Sequence, residues 1–338
     1  MIPESTGPAT TGRTGARIRL AAAILLALTT VAVLAGSTYE RRGRERAMRD
    51  FPPPGRLVDI GGRRIQLDCR GTGSPTVVFE GGLDIDGALA WSLVHDSVAA
   101  TTRACAYSRA GIMWSDQHSG VRDGGAVAED LHAALENAKE HSPFVLVGHS
   151  LGGPYAMTYV KRYADQVAGV VLVDASHPDQ EDRLKAPLAW RLASALAWTG
   201  VVRIGFPSEP ASHRPAAAAR ARAAYAPTSI HAMVQELESL DSTLDEAGTF
   251  RRLGSRPLVV LTATRPLTDG ELAESGMTRA QAAVHAAHWK ALQDDEATWS
   301  SHSRHELVPD AGHNIQLDQP DAVIRAVRSV VADLRNKP

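Results

Sequence analysis

Residues 145–153 read Val145-Leu146-Val147-Gly148-His149-Ser150-Leu151-Gly152-Gly153, and this stretch decides the fold. A β-branched apolar run feeds straight into Gly-x-Ser-x-Gly, and a helical pattern over 151–164 follows. A serine on so tight a strand-to-helix turn adopts a strained backbone that lifts its hydroxyl above the sheet edge. Small residues two positions before and after it let neighbouring backbone come close. The start of the next helix offers a backbone N–H, and the positive end of a dipole, to an oxyanion forming at the serine.

Outward from this turn, short apolar runs alternate with helical ones. Thr76–Glu80 and residues 103–107, 144–147, 168–173 and 257–261 read as buried strands. Residues 56–60 and 63–69 read as a hairpin turning on Gly61-Gly62. Helical segments fall near 88–99, 125–139, 151–164 and 278–296, and a strand near 304–308 and a helix near 320–335 close the chain. This alternation predicts a mostly parallel sheet covered on both faces by helices. Residues 178–250 break the rhythm. They are rich in Ala and Arg, lack a strand, and carry Trp190, Trp198 and Tyr225 among apolar positions at helical spacing. They read as a helical insertion, either a cap over a site at the strand ends or a plain surface addition.

A serine hydroxyl is a weak nucleophile until a base takes its proton. Of the 13 histidines, His313 is singled out by its place in Pro309-Asp310-Ala311-Gly312-His313-Asn314, between the last strand and the last helix. His149 lies inside the turn and is expected to support it. His177, after a strand end, is a second candidate base or substrate contact. A carboxylate must hold the imidazole. Asp174 stands directly at the end of the strand 168–173, and Asp269 lies several residues into a loop beyond the next strand. After Thr76–Glu80, the turn Gly81-Gly82-Leu83 lets backbone N–H groups face a ligand. The expected oxyanion donors are the N–H groups of Leu83 and Leu151.

With the order Ser150, acid, His313, the chain resembles the α/β-hydrolase superfamily over roughly residues 55–335. Tyr107-Ser108-Arg109-Ala110-Gly111-Ile112-Met113-Trp114-Ser115 is similar to a Tyr-Asp-Arg-x-Gly-x-Gly-x-Ser segment common in that family, with Ser108 in place of Asp and Met113 in place of the second Gly. The resemblance implies an α/β-hydrolase fold: a mostly parallel eight-stranded sheet with helices on both faces and a helical cap inserted after the sixth strand. Most members carry the acid after the strand that is here 257–261, yet that loop reads Ala263-Thr264-Arg265-Pro266, without a carboxylate. Some members place the acid one strand earlier, which matches Asp174. The family's sheet order also makes the strands of Cys69 and Cys105 neighbours, so a disulfide fits as well as two buried thiols do.

The N-terminus is a separate object. Residues 20–36, LAAAILLALTTVAVLAG, carry no charge and would span roughly 25 Å as a helix. That is the lower limit for crossing a bilayer, and it reads as an uncleaved anchor or a secretory signal. The expected divisions are a disordered tail over 1–19, the anchor or signal over 20–38, and a linker over 39–54. A core over 55–177 and 251–338 and a cap over 178–250 complete them. Arg41, Arg42, Arg44, Arg46 and Arg49 after the run favour a cytoplasmic C-terminal side. A disulfide favours export, so a membrane-anchored or secreted, extracytoplasmic protein is the expectation.

The 338 residues are 44% hydrophobic and 22% charged, with net charge −2. This composition excludes a disordered, collagen-like or polytopic membrane protein and lacks the basic excess of a nucleic-acid binder. Two distant cysteines make no zinc site, and no Gly-rich phosphate loop carries a lysine, so neither metal nor cofactor is expected. The expected activity is a serine hydrolase acting on a small ester-like substrate through an acyl-enzyme. A peptidase, a peroxidase-like enzyme and a non-catalytic ligand-binding module on the same fold are the alternatives. Family members that open epoxides or cleave carbon–halogen bonds use Asp at the turn, so Ser150 disfavours those activities.

Overall fold

The computed structural model describes residues 11–181, 183–205 and 215–336. The chain opens with a 40-residue helix, α1 (Thr11–Asp50), of which Gly15–Asp50 is long and apolar enough to cross a membrane. This corrects the expected N-terminal divisions. Residues 11–19 of the expected tail and 39–50 of the expected linker are helical, and residues 1–10 lie outside the described part. The cause is local. Residues 40–49 are mostly Arg, Glu, Ala and Met, which are strong helix formers. The helix therefore propagates until Pro52-Pro53-Pro54 withdraws the N–H donors it needs.

Eight strands form one sheet in the order β1-β2-β4-β3-β5-β6-β7-β8. They are β1 (Arg56–Asp59), β2 (Arg64–Arg70), β3 (Thr76–Glu80), β4 (Ala104–Ser108), β5 (Phe144–His149), β6 (Val167–Val173), β7 (Leu258–Ala263) and β8 (Ser303–Val308). The β1–β2 hairpin and the β2–β4 pair are antiparallel, and every other pair is parallel. Cys69 and Cys105 face each other across β2 and β4 with Cα atoms 4.0 Å apart and are joined as a disulfide.

The central strands are buried on both faces, which explains their unbroken Val and Leu runs. One face of the sheet, through Val77, Phe79, Val147, Val171 and Leu261, packs on a short helix α2 (His95–Ala99) and the closing helix α12 (Pro320–Arg335). The other face, through Val78, Leu146, Leu172 and Val260, packs on α3 (Gly124–Asn137) and α4 (Gly152–Arg162). Between β6 and β7 lie α5 (Leu188–Leu196), α6 (Val201–Gly205), α7 (Ala216–Glu238) and α8 (Leu240–Gly248). A separate apolar cluster of Leu151, Tyr155, Val234, Leu237, Leu240 and Leu244 seats α7 and α8 on the start of α4. Residues 206–214 of the expected cap lie outside the described part. A second helical excursion, α9 (Asp269–Ser275) and α10 (Arg279–Glu296), separates β7 from β8, and α11 (Ile315–Asp318) precedes α12.

Candidate active site

Ser150 follows β5 directly and holds the left-handed backbone conformation, with φ +52°. Its N–H donates to the carbonyl of Val173 (3.3 Å), and its own carbonyl accepts from the N–H groups of Gly153 and Ser176 (2.9 Å each). A Cβ on Gly148 would lie 2.5 Å from the Gly152 oxygen, and one on Gly152 would lie 2.4 Å from the Glu80 oxygen. The turn thus excludes side chains at both positions and leaves the serine hydroxyl as its projecting group.

His313 and Asp174 meet that hydroxyl in a chain. His313 Nε2 lies 2.9 Å from Ser150 Oγ, and His313 Nδ1 lies 2.6 Å from Asp174 Oδ2. Asp174 follows β6, is buried, and is itself in a left-handed conformation at φ +45°. Its N–H donates to Leu261 (2.7 Å). Its Oδ1 accepts from the Ala263 N–H (2.9 Å) and from Trp289 Nε1–H (3.1 Å). Ala263 ends β7, so its backbone N–H fixes a carboxylate that follows the preceding strand. His149 Nε2 donates to the His313 carbonyl at 2.9 Å, which makes it a support for the histidine loop.

The other candidates lie elsewhere. His177 is buried against Trp299, pairs through Nε2 with Asp295 Oδ2 at 3.0 Å, and accepts at Nδ1 from the Asp179 N–H. Burial holds it below the usual imidazole range, against the pull of Asp295. Asp269 is exposed at the start of α9 and pairs with Arg279.

The turn after β3 presses on the serine. A Cβ on Gly82 would fall 3.0 Å from both Ser150 Cβ and His149 Nδ1. Arg109 holds this turn from beneath, donating from Nη1 to Gly81 O (2.8 Å) and from Nη2 to Gly82 O (2.6 Å). A trans peptide points its N–H opposite to its carbonyl, so fixing Gly82 O on Arg109 turns the Leu83 N–H away from Arg109. Arg109 is buried between Glu80 (2.9 Å) and Glu236 (2.9 Å), and Arg122 also reaches Glu236 (2.7 Å). Burial pushes Glu80 up to about 7 against the pull of Arg109. Burial also raises Glu236, but Arg109 and Arg122 outweigh it and hold the carboxyl below its usual range. Ser108 accepts the Ala88 N–H (3.2 Å) and donates to Gln66 (2.7 Å).

Two cavities meet at His313. One, of about 470 Å³, is lined by Gly82, Leu83, Ser150, Trp190, Ile230 and Met233, with Asp84, Asp86 and Arg222 at a polar margin. The other, of about 590 Å³, is mostly apolar and is lined by Leu267, Leu272, Met277, Ala286 and Trp289.

Three contributors carry no local signal in the sequence. Trp289 reaches Asp174 across 115 positions, and Glu236 reaches Arg109 across 127. Glu296 is buried, and among the described residues its Oε2 has no hydrogen-bond partner. Burial, with the charges of Asp174 and Asp295 nearby, pushes its carboxyl well above the usual range. Arg109 lies in the segment beginning at Tyr107, which marks the residue without naming its partners.

A mostly parallel eight-stranded sheet with serine, histidine and carboxylate at its strand ends is an α/β-hydrolase architecture. A profile of the alpha/beta hydrolase family matches residues 61–326. The chain belongs to that family, and the comparisons together support a hydrolase. It is 28% identical over 144 residues to the human (lyso)-N-acylphosphatidylethanolamine lipase, a match covering 39% of this chain and 41% of the lipase. Matched stretches span only 17% to 41% of the curated relatives' lengths. Among solved structures, an esterase from Thermogutta terrifontis superposes with TM-score 0.60 at 20% identity, covering 82% of this chain and 97% of its own. An enol-lactonase from Burkholderia xenovorans LB400 gives TM-score 0.60 at 17% identity, with 82% and 100% covered.

Proposed function

We propose that the protein is a membrane-anchored serine hydrolase that cleaves carboxylic esters. The observation that carries this reading is the unbroken chain from Ser150 Oγ through His313 to Asp174, at 2.9 and 2.6 Å. Ser150 Oγ attacks the ester carbonyl while His313 Nε2 takes its proton. The oxygen that gains charge is met by the N–H groups of Leu83 and Leu151. His313 then protonates the departing alkoxide, which leaves as the alcohol. Water adds to the acyl-enzyme, gives a proton to His313, and releases the acid with Ser150 restored. Asp174 holds the ring in the required tautomer and stabilises its cation. The partial match to a lipase supports an acyl ester over an amide.

The apolar span within α1 supports anchoring, and the Cys69–Cys105 disulfide supports an extracytoplasmic catalytic domain. A fluorophosphonate probe tests the chemistry. The full chain is expected to label, and Ser150→Ala and His313→Ala are expected not to. A folded wild-type protein that does not label overturns the reading and favours a ligand-binding module.

A further inference from the structure

The cap carries an apolar surface whose position is set by the anchor. Gly36, Glu40, Gly43 and Ala47 recur at spacings of four, three and four, so they share one face of α1, and they pack on the cap. A Cβ on Gly36 would lie 2.2 Å from the Thr199 carbonyl oxygen, and one on Gly43 would lie 2.2 Å from Arg203 Nε. Arg203 pairs with the buried Glu40 at 2.8 Å. The segment from Thr199 to Arg203 is thereby clamped to α1 around Gly36–Gly43, where its uncharged run gives way to charge at Glu40. If α1 spans a bilayer, that level is the membrane interface.

Next to this clamp the cap exposes Trp198, Val201 and Ile204, and α5, which leads up to it, exposes Leu188, Leu192 and Leu196. In water so many large apolar side chains on two short helices are unfavourable, and such a patch marks an interaction surface. Its neighbours on α1 fit a lipid surface. Arg41, Arg42 and Arg46 follow the apolar run on α1, are exposed, and would meet anionic headgroups. In such a bilayer Trp198, next to the clamped Thr199, would lie at the interface, where indole rings concentrate. The same helix, α5, also turns Trp190 into the cavity that holds Ser150. One short helix therefore connects the lipid-facing surface to the serine.

We propose that α5 and α6 are seated in the leaflet at the C-terminal end of the α1 span, and that the site takes long-chain acyl esters directly from that leaflet. The proposal rests on the ester-hydrolase and anchor readings and specifies their substrate: an amphiphile whose acyl chain enters past Trp190.

The test uses the full chain in phosphatidylcholine–phosphatidylglycerol vesicles. With Cys69 and Cys105 paired, a nitroxide can be placed on Ile204→Cys, and on Glu136→Cys of α3 as a control. The label at 204 is expected to collide with oxygen and be shielded from a water-soluble nickel chelate, with the reverse at 136. Equal, water-like access at both sites overturns the proposal, and so does a label at 204 shielded from both reagents, which would mean a protein partner covers the patch. A second arm compares wild type with Leu196→Asp/Ile204→Asp. Turnover of a palmitoyl ester in the vesicles is expected to fall about tenfold or more, with p-nitrophenyl acetate hydrolysis unchanged. An undiminished palmitoyl rate overturns the substrate route. A wild type that cleaves neither ester refutes the hydrolase reading and the substrate route with it, while the nitroxide result still decides the seating of the cap.

Discussion

Replacing Asp174 by Asn tests the site more sharply than deleting it, because the hydrogen-bond donors around it dictate how the amide must sit. Oδ1 accepts from two fixed donors, the Ala263 N–H and the Trp289 indole N–H. An asparagine keeps those bonds only by placing its carbonyl oxygen there, and its NH2 group then faces His313 Nδ1. That nitrogen must become an acceptor, so the ring proton moves to Nε2, the atom 2.9 Å from Ser150 Oγ. A histidine protonated at Nε2 cannot take the serine proton. Loss of the correct tautomer in a serine–histidine–aspartate arrangement costs about 10³- to 10⁴-fold in kcat, or ~4 to 5.5 kcal/mol of transition-state stabilisation. The assay is steady-state hydrolysis of p-nitrophenyl acetate with the rate of fluorophosphonate labelling, beside Asp269→Asn. Retention of more than about a tenth of wild-type kcat by folded Asp174→Asn, well above that expected loss, would refute the assignment of the acid. Loss with Asp269→Asn alone would move the acid to α9.

Other perturbations read other parts of the machinery. Glu236→Gln leaves Arg109 and Arg122 buried without their shared carboxylate, and is expected to destabilise the fold by about 3–5 kcal/mol in denaturant titration; a change below about 1 kcal/mol, within the range of surface pairs, would show that the cluster is solvated. Gly82→Ala forces a Cβ to within 3.0 Å of Ser150 Cβ. Because it displaces the neighbouring Leu83 N–H, a loss of up to about 100-fold in kcat at unchanged stability is expected, and full activity would remove that turn from the oxyanion site. Burial raises the Glu296 carboxyl well above its usual range, while its unfolded counterpart ionises above about 4.3. The native state then binds the extra proton, so stability falls as pH rises, by about 1.4 kcal/mol per unit. Thermal unfolding of wild type and Glu296→Gln between pH 5 and 7 should diverge at that slope, and parallel curves would mean that Glu296 ionises in place.

The fold was legible where several physical needs coincide within a few residues. Strand, small residues, serine and helix start all fall inside residues 144–153, and the buried strands announce themselves because both faces need apolar side chains. Asp174 is singled out in the sequence by the lack of a carboxylate at 263–266, and it lies 2.6 Å from His313 Nδ1. The unread parts are long-range or masked by composition. Trp289 and Glu236 act on residues more than a hundred positions away, and nothing in helical periodicity names the partner. The extent of α1 was hidden because its arginines resemble a solvated linker. The face formed by Gly36, Glu40, Gly43 and Ala47 is the periodic signal that carries the helix to Asp50.

The buried carboxylate of Glu236 divides the cap into parts with different mutational freedom. It sits near the end of α7 and joins that helix to Arg109, and through Arg109 to the backbone beside Ser150. In the proposed hydrolase, substitutions along this side of α7 would be felt at Ser150, and selection for activity would constrain them. Helix α5 contributes no buried side chain, yet Trp190 reaches the cavity. If the protein is the ester hydrolase proposed above, descendants of this sequence can therefore drift in acyl preference by rewriting α5, one side chain at a time, while Ser150, His313 and Asp174 stay unchanged.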